Sequence, residues 1–241
     1  MKRRVTDLGN FKVVGTQGHI GTVQGILFDD TAWSLRYFVV MTRDKLGRRP
    51  ILVAPKQIGS INDVNGAVRV ALTSAQAAHH PDITSDMPVG LQKERETWTG
   101  MAFLPYWAAG GPVSNIILPA CAAEIMNGQM VPEGQRNPHL RNSNEVLGYR
   151  LRASDGWSGR ISDFVFDDAD WLIQHVEVGV RQWPRITHVL LPPVVIIRIN
   201  WRRQIFVTSL SRRAITSAPQ AGTPPQVQQE SDTNLLFHGA L

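Results

Sequence analysis

The chain of 241 residues has a single cysteine, Cys121. That excludes an intramolecular disulfide and any multi-cysteine zinc or iron–sulfur centre. Long apolar runs are missing too. A membrane-spanning helix needs roughly 20 consecutive apolar residues. The nearest candidate, Met101–Met126, is broken by Pro105, Gly110, Gly111, Pro112 and Pro119. The basic N-terminus, Met-Lys-Arg-Arg, is not followed by the apolar core of a secretory signal. There is no His-Glu-x-x-His, no Gly-x-Ser-x-Gly and no phosphate-binding glycine loop before a helix. These absences predict a soluble cytoplasmic protein with no catalytic residues, no metal site and no cofactor.

With 43% hydrophobic and 19% charged residues, the composition is that of a globular protein with a sizeable core. The net charge of +5 is uneven. Residues 1–80 carry +6, 81–144 carry −2, 145–215 carry +3 and the tail from 216 carries −2. Two basic blocks thus flank an acidic spacer. They favour acidic partners without specifying nucleic acid.

An internal repeat organises the chain. Gly18 to Trp33 lies over Gly156 to Trp171 at an offset of 138 residues. The same offset, without a gap, pairs Val40 with Val178, Arg43 with Arg181, Leu52 with Leu190, Pro55 with Pro193 and Leu72 with Leu210. Two copies of one unit follow, over 9–80 and 145–217, separated by a partly ordered spacer at 81–144 and followed by a disordered tail at 218–241. Within the spacer, Trp98, Tyr106 and Trp107 form an aromatic cluster expected to pack across the units, whereas Asn137–Asn144 reads as loop.

Each copy reads as β. Thr22–Phe28 and Arg160–Phe166 have strand length and strand residues, and alternating runs follow around Phe38 and Val176. The short Asp-Asp-x-x-Trp link between them predicts a hairpin. A third run stops at Pro55 or Pro193, which cannot donate to a central ladder. Ala67–Ala71 and Ile205–Ser209 are last strands, and a capped turn after Thr73 or Ser211 predicts a short closing helix. Five or six strands in about seventy residues favour a small closed barrel, since closure removes exposed edges. Two such barrels, each enclosing its own interior, are expected to pack on each other.

The residues Gly18, Gly21, Val23, Phe28, Asp29 and Pro55, repeated as Gly156, Gly159, Ile161, Phe166, Asp167 and Pro193, resemble the pattern of the PRC-barrel family. The second copy also has Asp163, acidic at a position where the family commonly is, whereas the first copy has Gly25. The resemblance covers both repeats, but not the spacer or the tail. The family includes the cytoplasmic domain of the photosynthetic reaction-centre H subunit, the C-terminal domain of a ribosome-maturation factor and small bacterial proteins. It implies a mainly β, non-enzymatic tandem-barrel protein that binds a larger complex. That complex would be a membrane-associated electron-transfer assembly like the reaction centre or, alternatively, RNA or the ribosome. A homo-oligomer is a further expectation.

Several residue groups bear on function. Asp29–Asp30 and Asp167–Asp168, with Asp170, offer carboxylates, but a hairpin turn supplies too few oxygens in one frame for a hard cation, so capped turns are the expectation. Trp33 and Trp171 read as core anchors. His79 and His80 are adjacent and cannot share a helix face. Cys121 in Leu-Pro-Ala-Cys-Ala-Ala reads as a buried, inert thiol. The binding candidates are basic and aromatic: Arg43 and Arg181, the one basic pair shared by the repeats, and Arg198, Trp201, Arg202 and Arg203 in the second.

Overall fold

A computed structural model describes residues 1–42, 48–93, 137–182 and 184–221. Fourteen strands form two seven-stranded sheets. In chain order they are β1 (Lys2–Arg4), β2 (Lys12–Gly15), β3 (Gly18–Asp29), β4 (Ser34–Thr42), β5 (Pro50–Val53), β6 (Ile58–Asn62), β7 (Ala67–Val70), β8 (Leu140–Asn142), β9 (Arg150–Ala153), β10 (Gly156–Asp167), β11 (Ile173–Gln182), β12 (Arg185–Leu191), β13 (Ile196–Asn200) and β14 (Ile205–Thr208). The short helices that bear on the fold are α1 (Ser74–Ala78), α2 (Ser143–Val146) and α3 (Arg212–Thr216).

The two sheets follow one plan, β5-β4-β3-β2-β7-β6 and β12-β11-β10-β9-β14-β13. The 138-residue offset carries every pairing of β10 with β11 onto a pairing of β3 with β4. Val23 faces Val40 and Ile26 faces Phe38; Ile161 faces Val178 and Phe164 faces Val176. Even the bulges repeat, after Val23 and Ile161 and again before Phe28 and Phe166. The Gly-x-x-Gly motif has a steric cause. Gly18 and Gly156 adopt φ of +124° and +136°, which side chains disfavour. A Cβ on Gly21 or Gly159 would lie 2.1 or 2.5 Å from the carbonyl oxygen of the facing strand. Pro55 and Pro193 end their strands and open single 3-10 turns. The capped turn at Thr73 forms as its sequence implies: Thr73 Oγ1 accepts from Gln76 N at 3.1 Å, and Gln76 Oε1 accepts from Thr73 N at 2.9 Å.

Among the described residues no pairing joins β5 to β6 or β12 to β13, so each hydrogen-bonded sheet is an open path. The expectation of a mainly β chain built from two like units is met at that level. The expectation of two separate interiors is not. The main core cluster draws on both repeats, running from Val5 and Val23 to Phe206 and Ile215, with a smaller one around Leu27 and Leu140. Phe28 of one repeat meets Phe164 of the other with ring centroids 5.1 Å apart, and Phe38 meets Trp171 edge-on at 5.7 Å. A unit of about seventy residues is near the lower size limit for an independent core, and sharing one core adds buried contacts to both.

The sharing extends to the backbone. β1, at the start of the chain, pairs with β10 in the second sheet, and β8, just ahead of the second repeat, pairs with β3 in the first. Lys2–Arg4 and Leu140–Asn142 are themselves 138 residues apart, so the repeat extends back to β1 and each copy lends this strand to the other. The expectation of loop over Asn137–Asn144 is therefore corrected: this stretch holds a strand and the start of α2. The disordered tail is likewise corrected at its start, where Leu190 N donates to Pro219 O at 2.8 Å and Ala221 N donates to His188 O at 2.8 Å. Arg43, the aromatic cluster at 98–107, Cys121 and the tail from 222 lie outside the described residues.

Candidate functional site

The paired aspartates hold the two halves together. Asp29 Oδ1 accepts from the amides of Thr31 and Ala32, at 2.9 and 3.0 Å, and so shapes the turn. Burial pushes its carboxyl upward, but these amides and Arg36 outweigh burial and leave it below the usual carboxylate range. Asp30 reaches the other way. Its Oδ2 accepts from Arg141 Nε at 2.6 Å and its Oδ1 lies 2.9 Å from His139 Nδ1. The second repeat does the same: Asp167 Oδ1 accepts from Ala169 N at 3.1 Å, and Asp168 Oδ2 accepts from Arg3 Nε at 2.7 Å. Burial alone would push Asp168 up; the Met1 amine and Arg3 reverse this and hold it low. The first aspartate of each pair thus caps a turn, as expected. The second binds an arginine delivered by the exchanged strand. Trp33 and Trp171 sit half-buried at φ of +52° and +59°, stacked on Phe28 and Phe166. In this conformation Trp171 O accepts from Leu35 N at 2.8 Å and Trp33 O accepts from Ile173 N at 2.7 Å, two further bonds between the halves.

Beside one of these junctions lies an open groove of about 570 Å³. One wall is Asp30, Thr31, Trp33, His139 and Arg141; the other runs from Pro193 to Ile199 on β13 and the turn before it. Val194 and Ile197, 87% and 66% exposed, lie together on that wall. The equivalent junction in the other half is filled from within. There Arg3 donates Nη1 to Asp63 and Nη2 to Ile61 O at 3.3 Å. The position of Asp63 is taken in the second repeat by Trp201, and among the described residues the Nη groups of Arg141 meet no acceptor.

The candidate binding residues are only partly brought together. Arg198 lines the groove. Trp201, Arg202 and Arg203 form the turn between β13 and β14, where Arg203 N donates to Asn200 Oδ1 at 3.0 Å; both arginines are exposed and Trp201 is half-buried. Arg181, on β11, pairs with Ile186 of β12 and is not among the residues that line the groove. Arg43 lies outside the described residues. His139, Arg141, Val194 and Ile197 escaped sequence reasoning. One signal was available: Arg141 follows Arg3 at the repeat offset, ahead of the stretch where the copies visibly match. The described residues contain no cluster of metal-binding side chains and no helix long and apolar enough to cross a membrane. No protein-family model matches the chain, and no curated protein matches it.

Proposed function

We propose that the chain is a non-enzymatic binding and assembly module, built as a tandem of PRC-type barrels, that docks on a larger complex. The barrel reading rests on the motif carried by both repeats, with each seam placed at the 3-10 turn between β5 and β6 or β12 and β13. By the same resemblance, the larger complex is a membrane-associated electron-transfer assembly of the reaction-centre kind. One observation carries the docking role: two equivalent junctions join the halves and, among the described residues, only one is filled by the chain's own side chains, with an apolar, arginine-bearing groove at the other. Exposed aliphatic residues rimmed by polar ones mark interaction surfaces. The test is capture of a defined complex by the full chain and by Ile197→Arg. Partners retained by the native chain and lost by the variant support the reading; equal capture by both contradicts it.

The turn Trp201-Arg-Arg favours the second reading, an RNA- or ribosome-associated factor, because arginines beside an aromatic side chain suit phosphates and bases. Binding of ribosomal RNA that weakens steeply with salt, and is lost in an Arg202→Ala/Arg203→Ala variant, would favour it over the first.

A further inference from the structure

We infer that the groove between the repeats receives the carboxylate of an aspartate or glutamate carried on an extended segment of a protein partner, which adds as a strand to the free edge of β13. The inference rests on the docking reading above and names the chemistry of its site.

The molecule supplies its own template. Arg3 and Arg141 stand at equivalent positions, and each gives its Nε–H to the second aspartate of the opposite half. Arg3 then spends its remaining donors on the Asp63 carboxylate and on Ile61 O, at the end of edge strand β6. Arg141 has the same donors and, with Trp201 at the equivalent position, lacks the carboxylate. Its side chain is only 10% exposed and it lines the groove. Guanidinium donors held in a sheltered, partly apolar site favour a paired anion, and a planar carboxylate matches their fork.

The edge favours an extended occupant. Among the described residues β13 pairs with β14 alone. The edges of β5 and β12 are each met by the chain itself, at bridges Ile51 to Asp82 and Val189 to Gln220. An added strand places alternate side chains on one face. Apolar residues two positions to either side of the carboxylate share its face and would then cover Val194 and Ile197, and Arg198 adds a second positive charge. A protein carboxylate fits better than a nucleic-acid phosphate because the equivalent site is filled by aspartate and the wall opposite Arg141 is mostly aliphatic.

The probe is the peptide acetyl-Val-Thr-Asp-Thr-Val-amide, titrated into the full chain by calorimetry and by NMR of the arginine side chains, with the Asn version as control. The Asp peptide is expected to bind about tenfold or more tightly than the Asn peptide, as a charge-assisted pair requires. Arg198→Glu, at an exposed position, should weaken binding by about tenfold with the fold intact. Trp201→Asp restores the aspartate of the other half and should abolish binding, while Asp63→Asn frees Arg3 and should raise the stoichiometry from one peptide to two. Equal binding of the two peptides overturns the carboxylate and leaves the docking role standing, as does failure of both peptides while Ile197→Arg still loses a captured complex. Displacement of the Asp peptide by a single-stranded oligouridine that binds more tightly would overturn the protein carboxylate in favour of a phosphate.

Discussion

The exchanged strands β1 and β8 do the same topological task by different means. β8 is held on an apolar face: Leu140 is fully buried, packed with Leu27, Val39 and Leu52 and flanked by Tyr37 and Ile83. β1 is held largely by charge. Its Lys2, equivalent to Leu140, is exposed, and Arg3 and Arg4 reach Asp168, Asp63 and Glu177, the last at 2.9 Å. Beneath β1, Thr6 Oγ1 donates to buried Asp163, and Glu177 lies 2.9 Å from His188 Nδ1. The first repeat has Gly25 and Val39 at the positions of Asp163 and Glu177. Backbone pairing and the second aspartate suffice to define the exchange; the surrounding side chains decide how it responds to salt and pH.

The largest expected effect tests what the halves share. Phe28 and Phe166 are 1% and 0% exposed. Truncating either to Ala should cost about 3–5 kcal/mol. Because both rings belong to one core, each variant should lower a single unfolding transition in denaturant melts; separate transitions, with only one moved, would break the comparison. Next comes the difference between the arms. Leu140→Ala should cost about 2–5 kcal/mol. Lys2→Ala, at the equivalent exposed position, should change stability by about 0.5 kcal/mol or less. Equal losses would mean that β8 is not held by its apolar face.

A smaller effect concerns pH. Burial raises the Asp163 carboxyl, against the bonds from Thr6 and Phe164 N and with Glu177 adding to the rise. A carboxyl raised in the folded state takes stability away as pH climbs above the ordinary carboxyl range. Asp163→Asn should therefore stabilise the protein at neutral pH, with the gain shrinking to nothing near pH 3, read from thermal melts across pH. Asp168 has the opposite sign. Its carboxyl is lowered, so its contribution is complete above the ordinary carboxyl range and is lost as pH falls through its depressed value. Asp168→Asn should accordingly lose stability at neutral pH and match the native chain in strong acid.

Much of each sheet was legible because the offset of 138 residues carries the strand register with it, and because glycine and proline mark positions where other residues do not fit. Gly21, Gly159, Pro55 and Pro193 are of that kind. The exchanged strands were not legible. Each is three residues long, too short for alternation to show, and Lys-Arg-Arg and Leu-Arg-Asn share only the arginine that matters. The groove escaped for a related reason. Sequence reasoning looked for charge clusters along the chain, whereas Arg141, Asp30 and Ile197 come together only once the halves are interlocked. Arg198 was found because it is basic, and its neighbour Ile197 was missed because an apolar residue on a strand looks like core.

Native-state amide hydrogen exchange at Val5, Leu35 and Ile173 tests the interlocked core most directly. These amides donate to Phe164 O, Trp171 O and Trp33 O, each in the opposite half, at 2.9, 2.8 and 2.7 Å. If the halves form one cooperative body, all three exchange only through global unfolding, with the same free energy as Val23 and Ile161, whose amides donate to Phe11 O and Tyr149 O inside their own halves, at 2.9 Å each. Exchange of the three at clearly lower free energy, while amides within each half stay protected, would show that the halves come apart as independent units and would contradict the account.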